Sequence, residues 1–167
     1  MESKHDSAPP QRVTLERVEN NAQVLRNMAE FWHYDFPEIF GTGLSEDGSF
    51  GSRGFDRLIR ETECFLIRLD GHLAGLAYVQ TEDVVRKPDR YFILRKYRRS
   101  GTGEEALRLL LHAHPDPWRQ TVRPRNTGAL GFWRKVLPRQ CDEVQEHAER
   151  ESEDGVRRIE FRFRAPT

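Results

Sequence analysis

The run YFILRKYRRSGTGEEALRLLL, residues 91–111, changes character twice. Its first residues are apolar and strand-like, and its last carry leucines at helical spacing. Between them stand Arg95, Lys96, Arg98 and Arg99, then Ser100-Gly101-Thr102-Gly103. A helix that starts here exposes unpaired N–H groups and the positive end of its dipole. Glycines at 101 and 103 carry no Cβ to hold an oxyanion away, so the turn reads as an anion cradle. Arg98 and Arg99 add charge, and the Ser100 and Thr102 hydroxyls can donate. Alternation along a strand sends Arg95 and Lys96 to opposite faces, which leaves most of the holding to backbone amides. The segment is neither a Walker loop nor a dinucleotide fingerprint, because the required lysine and third glycine are missing.

Outward from this run, the chain alternates strands and helices. VTLERV (13–18) reads as a short strand, and residues 19–33 place Val24, Leu25, Met28, Ala29 and Trp32 on one helical face. Residues 36–55 read as a Gly- and acid-rich loop with at most short helical turns, and 55–61 as a brief helix. CFLIRLDGHLAGLAYVQTE (64–82) is a hairpin whose Asp70-Gly71 dipeptide favours a type I′ turn. Residues 85–90 read as a polar connection, 91–96 as a strand, and a helix runs from Gly103 to about His114. A strand at 118–122, a helix over 126–137 ended by Pro138, and one or two final strands complete the order. In the last, 157–165, Ile159, Phe161 and Phe163 share one face. The pattern predicts an α+β (mixed α/β, three-layer) fold: a mixed, mostly antiparallel sheet flanked by helices, in one domain over 11–167 behind a loose tail at 1–10.

The chain has 167 residues, with 27 Lys+Arg balanced by 27 Asp+Glu, so its net charge is zero. A protein devoted to gripping nucleic acid needs a surplus of cations. Cys64 and Cys141 are isolated and read as reduced thiols, with Cys64 in a strand and no metal cluster around either. His112 and His114 read as surface histidines rather than ligands. No apolar run reaches the length of a membrane span and no signal-peptide core stands at the start, so a cytoplasmic location is expected.

A second segment, NTGALGFWRKVL (126–137), places Asn126, Ala129, Phe132 and Trp133 at helical neighbours, with Asn126 as the N-cap. Arg-x-x-Gly-x-Gly opening one helix, then Asn-x-x-Ala-x-x-Phe-aromatic in the next, resembles the GNAT superfamily of N-acetyltransferases. The resemblance is close over 64–137, and the N-terminal half, with YDFPEIF (34–40) and SEDGSFG (45–51), resembles bacterial members of undefined substrate.

The resemblance implies that acetyl-CoA is the co-substrate and that a primary amine of a small molecule or peptide attacks its thioester directly. It implies that Arg98, Arg99, Ser100, Gly101, Thr102 and Gly103 wrap the pyrophosphate. The main chain of Ile93, Leu94 and Arg95 would bond the pantetheine arm, in a splay between the fourth and fifth strands. Asn126 would contact the same arm, and Phe132 and Trp133 would flank the thioester. Tyr34, Asp35, Glu46 and Asp47 are the acceptor-side candidates, and the resemblance leaves a homodimer open. Trp133 stands where relatives often carry a tyrosine acid, and Asp89-Arg90 where they often carry a glutamate base, so no catalytic acid or base is assigned. Glu104 and Glu105 in the first turn would oppose a bound pyrophosphate. The alternative is a non-catalytic relative that binds an acyl-CoA or acts as an interaction or regulatory module.

Overall fold

The computed structural model describes residues 11–19, 22–50, 55–151 and 155–166. The expected tail at 1–10 lies outside them. The elements are β1 (Val13–Arg17), α1 (Ala22–Tyr34), α2 (Phe36–Phe40), α3 (Phe55–Glu61), β2 (Glu63–Leu69) and β3 (His72–Glu82). They continue with β4 (Val85–Ile93), α4 (Thr102–Ala113), β5 (Pro117–Val122), α5 (Thr127–Gln140), β6 (Asp142–Glu151) and β7 (Arg157–Arg164). The strands form one seven-stranded sheet in the order β1-β2-β3-β4-β5-β7-β6. Only β4 and β5 run parallel; every other recorded pairing is antiparallel. This is the mixed, mostly antiparallel sheet that the pattern predicts.

Burial explains why β2 and β3 read as nearly continuous apolar runs. Phe65, Ile67, Ala77 and Val79 pack with Leu107, Leu110, Leu130 and Trp133 of α4 and α5. Cys64, Leu66, Leu76 and Tyr78 pack with Leu25, Met28 and Ala29 of α1. Strands covered on both faces lose the alternation of half-exposed ones. Each fully buried leucine, such as Leu107 or Leu110, contributes roughly 1.5–3 kcal/mol by removal from water. The Asp70-Gly71 turn takes φ of 49° and 81°, the positive pair that a type I′ turn requires.

Four expectations need correction. Residues 85–90 are not a connection: they are the first half of β4, paired with β3 from Val85↔Glu82 to Pro88↔Val79. Their polar character misleads because the side chains find partners across the sheet. Arg86 bonds Glu63 at 2.6 Å and Asp116 at 2.9 Å. Pro88, which cannot donate to a ladder, sits beside a register shift that leaves Asp89 unpaired opposite β3. The strand also ends early, at Ile93, and Arg95–Tyr97 form a 3-10 turn closed by Tyr97 N–H on the Leu94 carbonyl at 2.8 Å. Arg95 and Lys96 therefore do not alternate as strand residues. Finally, α5 passes through Pro138 and closes at Cys141 N–H to Leu137 C=O. Pro138 removes only a bond to the Arg134 carbonyl, and both residues are exposed, so water can serve that carbonyl.

His114 is also not a surface residue. It lies half-buried between Phe65 and Trp118, with Nε2 3.8 Å from Glu63.

Candidate active site

The single parallel pair decides where a ligand can lie. The only register recorded between β4 and β5 is Arg86↔Trp118, near the start of both strands. Beyond it the two strands diverge, and the gap opens toward their C-terminal ends. Leu94 N–H donates to the Ala74 carbonyl on β3, and the Phe92 carbonyl lies against Gly75 of β3. Alternation of backbone direction therefore turns the N–H and C=O of Ile93 away from β3, into that gap.

The loop that follows β4 is built to leave amides free. Arg99 and Gly101 are both left-handed, at φ 63° and 86°. The first helical bond of α4 runs from Glu105 N–H to the Gly101 carbonyl at 3.0 Å. The N–H groups of Gly101, Thr102, Gly103 and Glu104 thus have no intrahelical partner. A Cβ at Gly101 would meet nothing within 4 Å, so the space in front of this turn is open. Gly103 has a different reason for its smallness: a Cβ there would come within 3.3 Å of both Ile93 and Phe132. It lets α4 close onto β4 and α5.

The side chains of the loop are more occupied than their types suggest. Ser100 Oγ bonds the Tyr97 carbonyl at 2.7 Å and the Thr102 hydroxyl at 2.8 Å. Arg98 Nε donates to the Ile93 carbonyl at 2.7 Å, and its Nη2 bonds Asp35. Arg99 is exposed. The two glutamates that would repel an anion are both answered. Glu104 lies 3.5 Å from Arg139 and accepts from Gln140, and Glu105 pairs with Arg108 at 2.7 Å, which lowers its pKa.

The second wall is α5. Asn126 caps it, its Oδ1 accepting from Ala129 N–H at 3.1 Å, which leaves its amide NH2 available. Phe132 is half-buried and stacks on Tyr91, 5.9 Å between ring centroids. Trp133 is 2% exposed and belongs to the core, tilted against Tyr91. Tyr91 was not among the expected site residues. Its hydroxyl donates to the Gly103 carbonyl, tying β4 to the first turn of α4. Burial pushes the Tyr91 phenol well up.

The α1–α2 corner forms the roof on the other face of β4. Asp35 bonds Arg95 at 3.1 Å as well as Arg98, and Glu38 adds a contact to Arg95 at 3.6 Å. Arg95 lies over the exposed ring of Tyr34, and Arg123, just past β5, over Phe40. The corner thus spans from the loop after β4 to the end of β5. Trp32 and Phe36 meet edge to face at 4.3 Å, and Phe50 stacks near His33, whose Nδ1–H bonds the Ala29 carbonyl. Burial holds the His33 pKa below its ordinary value. Asp47 accepts from Ser49 N–H and Oγ at 3.0 and 2.7 Å, a turn that lowers its pKa, and Glu46 stands exposed beside it.

A separate hollow of about 460 Å³ lies at the opposite end of β5, lined by Trp118, Arg119, Glu143, Arg162 and Arg164 among others. Its cations are answered by Glu82, Glu160 and Glu143.

Residues 25–137 match the model of the acetyltransferase (GNAT) family. No curated protein matches the chain at a significant level. Among solved structures, the fold is similar to the ribosomal-protein-S18-alanine N-acetyltransferase of Escherichia coli, at 14% identity and TM-score 0.63, covering 93% of this chain and 96% of that one. It is also similar to a GNAT family acetyltransferase from Elizabethkingia anophelis with acetyl-CoA bound, at 12% identity and TM-score 0.61, covering 91% and 97%. A third is the PaiA N-acetyltransferase of Thermoplasma acidophilum in complex with coenzyme A, at 13% identity and TM-score 0.60, covering 89% and 98%. At such identities the likeness is one of fold.

Proposed function

The chain belongs to the acetyltransferase (GNAT) family, whose acyl donor is acetyl-CoA, and on that premise we propose that it acetylates a primary amine of a small molecule or peptide by direct attack on the thioester. The observation that carries this reading is the divergence of β4 from β5 with a helix N-terminus at its mouth. That arrangement offers a slot for a linear arm and a cradle for its phosphates.

The residues divide the work. The free amides of 101–104 hold the pyrophosphate, with Arg99 supplying charge from open solvent. Ile93 carries the main-chain pairing to the arm, because Leu94 N–H is already spent on Ala74. Arg98 must then give up the Ile93 carbonyl. Asn126 offers its amide NH2 to the arm, and Phe132 walls the reactive end. Acetyl-CoA supplies an activated acyl group, so the protein's main terms are positioning and backbone donors for developing negative charge. Trp133 serves by packing: it is buried, and an indole N–H is no acid at neutral pH. Tyr91 is excluded as an acid by burial and by its bond to Gly103. Protons exchange with water.

Two measurements test this. Acetyl-CoA well above its dissociation constant should raise the melting temperature by mass action, and Gly101→Glu should abolish the shift. A panel of amines should release free thiol from acetyl-CoA. A shift without any thiol would favour the non-catalytic alternative, to which the missing acid already points. No shift at all would remove the donor and the proposal with it.

A further inference from the structure

We infer that the acceptor amine also carries a carboxylate, and that Arg90 reads it. The inference rests on the acetyltransferase reading above and on the assignment of Tyr34 and Asp35, which lie at the α1–α2 corner, to the acceptor side.

The charges at that corner fall into two groups. The carboxylates suited to a cationic amine are nearly all engaged. Asp35 is bound to Arg95 and Arg98, and Glu38 lies against Arg95. Asp47 is turned onto Ser49, and Glu30 accepts from Phe50 N–H at 3.3 Å. Asp89 is bound by Arg90 at 2.6 Å and approached by Lys87 at 3.6 Å. Glu46 stands in open solvent on its loop, where ions screen it. On the cationic side, Arg90 is paired with Asp89 through Nη1 and still keeps a second donor edge.

Arg90 is held in a fixed pose. Its guanidinium lies over the Trp32 ring, 4.4 Å from the centroid. Asp89 occupies Nη1 alone, through its carboxylate and its carbonyl. The Nε and Nη2 edge keeps both N–H groups, and at 31% exposure the side chain is reachable from outside. Two parallel donors on a stacked plane match a carboxylate in bidentate geometry. The register shift between Tyr78 and Val79 sits at this point of β3 and β4, leaving Asp89 as the extra residue beside Arg90. Bulges re-aim side chains next to active sites. Burial, the largest cause, holds the His33 pKa below its ordinary value against the opposing pull of its Ala29 bond and of Glu30, so this neighbour does not compete for the anion at pH 7. The rings of Trp32, Phe36 and Phe50, which cluster with His33 at the same corner, would meet the apolar part of the acceptor.

The test uses matched pairs, each an α-amino acid and its amide, as acceptors. The wild-type protein is expected to favour the acid by tenfold or more in kcat/KM. Arg90→Gln, which keeps length over Trp32 but loses the charge, should cut that ratio at least tenfold; Arg90→Lys should retain part of it. Calorimetry with the N-acetylated acid and the N-acetylated amide reads the same selection without turnover, and the acid should bind more tightly, in an Arg90-dependent way. Equal use and equal binding of acid and amide would overturn the inference. So would a preference that survives Arg90→Gln. Loss of transfer to every amine, with acid-selective binding intact, would count against the catalytic reading and leave this one standing.

Discussion

Asp35 and Arg98 join the corner between α1 and α2 to the loop after β4, while the same guanidinium caps the Ile93 carbonyl from inside the gap between β4 and β5. The contact places a negative charge beside the proposed anion cradle and occupies a backbone group that the proposed pantetheine arm would need. Asp35→Asn should therefore tighten CoA binding, about threefold to tenfold, the worth of roughly one hydrogen bond. Calorimetric titration measures it. Weaker binding would mean instead that Asp35 presents Arg98 to the phosphates.

The two glycines of the loop should fail for different reasons. Gly103→Ala puts a methyl 3.3 Å from Ile93 and Phe132, an overpacking that costs roughly 1–3 kcal/mol in urea denaturation. Gly101→Ala meets nothing, but its φ of 86° disfavours an L side chain by about 1 kcal/mol. If Gly101→Ala were the costlier of the two, the packing account of Gly103 would be wrong.

Trp133→Tyr should not create a catalytic acid. The position is 2% exposed and faces Tyr91 and Phe132. Stability should fall by about 1–3 kcal/mol from lost packing, and the pH dependence of kcat should keep its shape. A tenfold gain in kcat with a new limb near the tyrosine pKa would place residue 133 at the thioester after all.

Acidification should destabilise the fold through its histidines. Burial, first among the causes, lowers the pKa of both His114 and His33 in the folded chain. The groups around His114 are Glu63, Arg86, Asp116 and Arg17, with Phe65 and Trp118 against its ring. Below the unfolded value of about 6.5 the unfolded chain binds the proton more readily, so stability present at pH 7 is lost as pH falls toward the folded value. Unfolding free energy measured between pH 7 and 5 should decline, and His114→Gln should flatten the decline. A rise in stability over that range would mean that pairing with Glu63 outweighs burial.

Much of this architecture was legible in the sequence, for identifiable reasons. The Asp70-Gly71 turn, the leucine spacing of α4 and the Asn126 cap each follow from local chemistry, and all appear as read. The errors came where tertiary partners override local signals. Residues 85–90 look like a loop until Glu63 and Asp116 are seen to take Arg86. The edge strand β6 shows no clear alternation because most of its described side chains face water. Nothing local marks Tyr91 as the tie to Gly103, or Asp35 as bound to two arginines sixty residues away, since both contacts are made only by the fold. The sequence marks both loop glycines, but only geometry separates the one in open space at positive φ from the one that permits packing.

The most direct test of the central claim is a CoA titration followed by backbone amide chemical shifts. The account predicts that the largest changes fall on Arg99–Gly103 and on Ile93, at the open ends of β4 and α4. Changes centred instead on the hollow around Trp118, Glu143 and Arg164, or no changes at saturating CoA, would contradict it.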